Sequence, residues 1–99
     1  GLTPKIAFLS HADFGSYDTP SARKMREALA CLRRLKPDLE ADGEMQADSA
    51  LSEGVRELKL HESHLRGEAN VLVMPNLDAA NIAYQFTRML ADACLSVRS

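Results

Sequence analysis

Chemistry could gather in four short stretches of this 99-residue chain: "SHADFGS" from Ser10, "ADGE" from Ala41, "QADSA" from Gln46 and "MPNLDAAN" from Met74. An imidazole beside a hydroxyl suits proton transfer, so His11 reads either as a base or as an ordinary loop histidine. Ser10, like Asp13 and Asp18, either meets a ligand or satisfies backbone donors in a turn. Asp42 and Glu44 stand two apart, on one face if that segment is a strand. There a carboxylate pair can exchange a proton or hold a metal, although no third ligand stands at a fixed spacing. Asn76 and Asn81 read as caps and turn residues, or Asn81 as an amide offered to an anion at a helix N-terminus. Asp48 is a helix cap or a ligand contact. His61 and His64, in "HESH", have no cysteine or third histidine nearby, which favours a solvated connector over a zinc site. The P-loop and dinucleotide fingerprints are both absent.

The elements that position these residues alternate. "KIAFLS", Lys5 to Ser10, is a nearly continuous apolar run, as in a strand covered on both faces. Thr19-Pro20 starts a helix, with Thr as cap and Pro at the first position, where its missing N–H had no partner. Met25, Ala28, Leu29, Leu32 and Leu35 form its apolar stripe, and Arg23, Arg26, Arg33 and Arg34 lie off it, most simply as a solvated face or else as contacts to a nucleotide phosphate. Pro37 ends the helix. "DLEADGE", Asp38 to Glu44, alternates as a strand near an edge. A second helix, capped by Asp48 or Ser49, is expected to bury Leu51, Val55 and Leu58, with Gly54 weakening it. "ANVLVMP", Ala69 to Pro75, is the clearest buried strand. Asp78 is the expected cap of a last helix that buries Ile82, Phe86, Met89 and Leu90.

This order predicts an α/β fold, three-layer α/β/α with a mainly parallel sheet, made of three βα units. Three strands are few for a parallel sheet, so the sheet is expected to be completed by further chain or a partner. The strand Asn70–Met74 would otherwise expose a pairing edge, which predicts a homo-oligomer, dimer or higher. In open α/β sheets ligands bind beyond the carboxyl ends of the strands. Ser10-His11, Asp42-Gly43-Glu44 and Asn76 are all expected at such ends, with Asp48 and Asn81 just beyond.

A net charge of −2 gives no long-range attraction for nucleic acid or anionic lipid. No apolar run approaches the roughly 20 residues of a membrane span, and no signal peptide is legible. Cys31 and Cys94 lack metal-site spacing and are too few for a disulfide scaffold. A cytoplasmic, reduced protein is expected.

"FLSHADFGS" (Phe8 to Ser16), "PDLEADGEMQADSAL" (Pro37 to Leu51) and "GEANVLVMPNLDAANIAYQ" (Gly67 to Gln85) resemble successive signatures of the phosphate acetyl/butyryl transferase family. The resemblance runs from Pro4 to about Ala93. Within the family it is nearest to the transferase-like C-terminal domain of NADP-dependent malic enzymes. Free-standing transferases carry Lys-Gly-Ser in the first motif and Phe-Pro-Asp in the third, where this chain has Phe14-Gly15-Ser16 and Met74-Pro75-Asn76. The resemblance implies a larger two-lobed, dimeric domain with a cleft between its lobes. Free-standing members move acetyl between coenzyme A and phosphate. In the malic-enzyme fusions the domain binds acetyl-coenzyme A as a regulator, while NADP and a divalent metal belong to the parent's other domain. Matching cleft positions are Ser10 with its neighbour His11, Asp42, Glu44, Asp48, Asn76 and Asn81.

The family's catalytic Ser-Arg and Asp lie beyond the C-terminal end of this chain, so the chain alone is expected not to catalyse transfer. A fragment of a catalytic phosphate acetyltransferase is the alternative. Residues 1–93 are thus expected to be part of one lobe. The tail "CLSVRS", Cys94 to Ser99, replaces the family's Leu-Pro-Val-Gly-Pro-Ile, and for one codon choice of that run a nucleotide lost just upstream yields this tail. A frameshifted reading of the family sequence is therefore expected there.

Overall fold

The central strand, β1 (Lys5–Leu9), pairs on both sides, which explains its apolar run. The computed structural model describes residues 3–59 and 63–98. Around β1 the chain adds α1 (Pro20–Leu35), β2 (Glu40–Met45), α2 (Ala47–Leu51), α3 (Glu53–Lys59), β3 (Val71–Val73) and α4 (Leu77–Arg98). All pairing is parallel in the order β2-β1-β3, with Ile6 opposite Ala41 and Val71. The expected α/β fold, with helices on a parallel sheet, is the one observed.

Strand alternation divides the core in two. Phe8 faces α1 and packs with Met25, Leu29 and Ala41. Ala7 and Leu9 face the other side and pack with Met45, Ala50, Leu65 and Ala69. Helix α1 begins as its sequence dictates: Thr19 Oγ1 accepts from Ala22 N at 3.2 Å, and Pro20 follows. Its apolar stripe is buried at Met25 and Leu29, but Leu35 is 76% exposed. Sixteen helical residues reach about 24 Å, whereas five strand residues reach only about 17 Å, so the last turn outruns the sheet.

Several expectations are corrected. The strand expected over Ala69–Pro75 as the clearest buried one is only Val71–Val73, with Val71 exposed and the other two half-buried, because β3 lies at the sheet edge. Strand β2 runs on to Met45, so Asp42 and Glu44 lie within it and not beyond its end. A bulge between Phe8 and Leu9 skips Glu44 in the pairing: Phe8 meets Gly43 and Leu9 meets Met45. Gly43 has φ +150°, and a Cβ there would stand 2.7 Å from the Phe8 carbonyl oxygen. The second helix is broken at Ser52, which takes an extended conformation. Leu51, at the end of α2, is exposed, and the break rotates α3 so that Leu58 is exposed, Val55 half-buried and Arg56 turned fully inward. The last helix is capped by Asn76, whose Oδ1 accepts from Ala79 N at 2.8 Å, and Asp78 sits in its first turn. Ile82, Phe86, Met89 and Leu90, expected in a core, are all more than half exposed, because no described element packs over that face of α4.

Candidate functional site

The carboxyl ends of the strands deliver Ser10, Gln46 and Met74 to one edge. There a cleft of about 370 Å³ opens, lined by Ser10, His11, Ser21, Ala47, Pro75 and Ala79 among others. This is where an open parallel sheet binds ligands. Ser10 N donates to Met45 O at 2.8 Å and Phe14 N to Glu44 O at 2.7 Å, so the β1–α1 loop is laced to the end of β2. Phe14 (φ +46°) and Gly15 (φ +81°) make the turn that allows this. Ser10 Oγ accepts from Ala12 N at 3.3 Å, an ST-type contact that leaves its O–H able to donate into the cleft. The His11 carbonyl accepts from Gln46 Nε2 at 2.8 Å, while its exposed ring lies 6.4 Å from that of Tyr17.

Behind the loop stands a polar knot. Asp13 Oδ1 accepts from Gln46 N and Ser49 Oγ, both at 2.8 Å. Lys59 Nζ donates to Asp13 Oδ2 at 3.0 Å, and lies within 3.2 Å of Asp48 Oδ1, Ser49 Oγ and Gln46 Oε1. The hydrogen bond to Asp13, joined by Asp48, holds the lysine above its ordinary pKa. The same lysine holds Asp48 below the usual carboxylate range. Lys59 therefore ties α2 and α3 to the loop, and Asp48 is one of its anchors.

The two strand carboxylates turn to α1. Asp42 Oδ1 accepts from Arg33 Nη2 at 3.1 Å and Gly43 N at 2.9 Å, and its Oδ2 accepts from Ser63 Oγ and His64 N, both at 2.9 Å. Glu44, fully buried, accepts from Arg26 Nη1 at 2.6 Å through Oε2. Its Oε1 has no partner among the described residues. Arg26 also reaches Asp18, whose carboxyl Arg23 and then Arg26 hold below the usual range.

Thus Ser10 and His11 come together in the cleft, whereas Asn76, next in sequence to the lining Pro75, caps α4. Asp48 belongs to the knot, Asp42 and Glu44 to the β2–α1 contact. Asn81 lies on α4 beside Ile82, Gln85, Phe86 and Met89, outside the cleft. His64 is exposed, and His61 lies outside the described residues. Among the described residues no group of three His, Cys, Asp or Glu could hold a metal ion. Likewise, no described helix is long and apolar enough to cross a membrane.

Sequence reasoning missed Ser21, Lys59 and the two arginine partners. Arg26 and Arg33 did carry a signal, since seven residues are two helical turns and put both on one face, opposite a carboxylate pair. Lys59 carried none, because its partners lie 10 to 46 residues away.

The family model described as phosphate acetyl/butaryl transferase matches residues 1–95. The chain is 54% identical over 93 residues to an NAD-dependent malic enzyme of Rhizobium meliloti, covering 94% of this chain and 12% of that protein. It is 46% identical over 97 residues to an NADP-dependent malic enzyme of Escherichia coli, covering 98% and 13%. It is 48% identical over 88 residues to a phosphate acetyltransferase of Paracoccus denitrificans, covering 89% and 28%. A solved phosphotransacetylase from Streptococcus pyogenes superposes with a TM-score of 0.85 at 39% identity, over 91% of this chain and 27% of that one. The chain thus spans about an eighth of the malic enzymes and just over a quarter of the transferases.

Proposed function

The chain belongs to the phosphate acetyl/butaryl transferase family, and from that premise we propose that it is part of the phosphotransacetylase-like regulatory domain of a malic enzyme and binds acetyl-coenzyme A. The observation that carries this reading is the 54% identity, along nearly the whole chain, to a malic enzyme. Residues 1–93 form part of one lobe of a larger two-lobed domain, with Cys94–Ser99 a frameshifted tail. NADP and a divalent metal serve the parent's other domain. The protein acts in the cytoplasm as a dimer or higher oligomer.

Ser10 and His11 contact the ligand in the cleft, with Asn76 at the cap of α4 and Asn81 further along that helix. Asp42, Glu44 and Asp48 hold the surrounding loops and helix in place. An effector acts by binding one state of the cleft better than another, and this differential affinity shifts the attached enzyme.

Titration calorimetry of the 99-residue chain with acetyl-coenzyme A tests the binding. A Ser10→Ala/His11→Ala variant that folds but binds at least tenfold more weakly supports it, and no binding by the unaltered chain overturns it. The 48% identity to a phosphate acetyltransferase favours a second reading, a piece of a catalytic transferase. There, electrostatic stabilisation of phosphate and thioester oxygens would carry the rate. Acetyl phosphate formed from acetyl-coenzyme A and phosphate by the full-length parent selects that reading, and binding without turnover selects regulation.

A further inference from the structure

The two walls of the cleft are held unequally. On one side the β1–α1 loop is laced to β2 by Ser10 N–Met45 O and Phe14 N–Glu44 O, and backed by the Asp13–Lys59 knot. On the other side the wall is Pro75 with Ala79 and Ala83 of α4. Among the described residues, one hydrogen bond ties the chain beyond Val73 to the rest of the molecule: Lys24 Nζ donates to Pro75 O at 2.6 Å. The remaining bonds at this junction, Ala79 N to Asn76 Oδ1 and Ala80 N to Asn76 O, only start the helix. Packing restrains the start of the junction through Met74, which lies against the core around Ala7 and Leu9, but little beyond it, since Leu77, Ile82, Tyr84, Phe86, Met89 and Leu90 of α4 are exposed. Lys24 lies three residues after Ser21 on α1, so both stand on the helix face that borders the cleft.

We propose that Lys24 is a positioning residue that sets the cleft's width by holding the β3–α4 junction against α1. Its effect on ligand affinity rests on the acyl-coenzyme A reading above, whereas its effect on α4 does not. The lysine never touches the ligand. Its ammonium fixes where the Pro75 carbonyl, and with it the first turn of α4, stands relative to Ser10 and Ser21.

The chain's two cysteines, Cys31 on α1 and Cys94 on α4, are both exposed and take nitroxide labels. Spin–spin distance measurement on the labelled 99-residue chain reads the angle of α4 directly. Lys24→Met keeps the aliphatic stem of an exposed residue and removes the donor, and circular dichroism checks that it folds. The expected result is a shifted or broadened Cys31–Cys94 distance distribution and acetyl-coenzyme A binding weaker by about 3- to 10-fold. Lys24→Arg, which restores a donor, is expected to recover both. An unchanged distribution in Lys24→Met overturns the proposal. A changed distribution in a chain whose unaltered form binds no acetyl-coenzyme A supports the positioning role and overturns the functional reading instead.

Discussion

Asp42 accepts from Arg33, Gly43 N, Ser63 and His64 N, so all the capacity of a nearly buried carboxylate is committed to protein donors. Asp42→Ala is expected to strand these donors and cost roughly 2–4 kcal/mol, seen as a lower urea midpoint. A variant of undiminished stability that lost only ligand binding would instead make the carboxylate a direct contact. Other carboxylates govern the pH response. Asp18 is held below its ordinary 3.8 by Arg23 and Arg26, Asp48 below the same value by Lys59, and Glu40 below 4.5 by the Arg66 N–H and Lys5. Each ionises more readily folded than unfolded, so each contributes stability above its unfolded pKa and loses it as pH falls through the depressed folded value. Lys59 is raised above 10.5, so its contribution is present below that pH and is lost only as pH rises through the folded value. Urea midpoints measured from pH 7 down to pH 3 should therefore drop below about pH 4.5. Asp48→Asn should make that drop shallower, and an equal drop in the variant would contradict the assignment.

At the scale of elements, the register of β1 against β2 depends on the bulge, and the bulge on Gly43. A methyl there would stand 2.7 Å from the Phe8 carbonyl oxygen and 2.9 Å from its Cβ, at φ +150°. Gly43→Ala should cost more than about 1 kcal/mol, since backbone must move to admit it. Thermal unfolding reads this, and an unshifted midpoint would mean that the strands part without penalty. Helix α3 is held at its end by Lys59 and on its inner face by Arg56. Arg56, fully buried, donates to the Ser49, Leu65 and Gly67 carbonyls at 2.8, 3.2 and 2.6 Å. It thereby staples α2, α3 and the segment leading to β3. Arg56→Met should leave those carbonyls without their donor and cost roughly 2–4 kcal/mol in urea unfolding. Full stability in the variant would show that backbone contacts alone carry the segment.

Across the whole molecule, the sheet is well covered around β1 and poorly covered at α4. Ile82, Phe86 and Met89 recur along α4 at spacings of four and three and are 70%, 67% and 61% exposed. The proposed association of copies would use this apolar stripe. In sedimentation, Phe86→Glu/Met89→Lys should shift the 99-residue chain toward monomer and reduce its binding of an apolar dye. Identical profiles for the two chains would remove α4 from any association. The same stripe accounts for the largest departure from the sequence reading: its periodicity was plain, but periodicity states which face is apolar and not whether anything lies against it.

What the sequence determined by itself was local. The β1 run, the Thr19-Pro20 start of α1, the order of the βα units and the family motifs all depend on neighbours within a few residues, where side-chain size, polarity and backbone freedom act directly. Ser10 and His11 were placed correctly at a strand end for the same reason. Tertiary structure alone decided the rest. That Asp42 and Glu44 turn to Arg33 and Arg26, that Lys59 gathers Asp13 and Asp48, and that Arg56 goes inward while Leu58 stays outside are settled by contacts between distant segments. Packing and electrostatic energies there depend on the distances the fold creates, and no spacing along the chain encodes them.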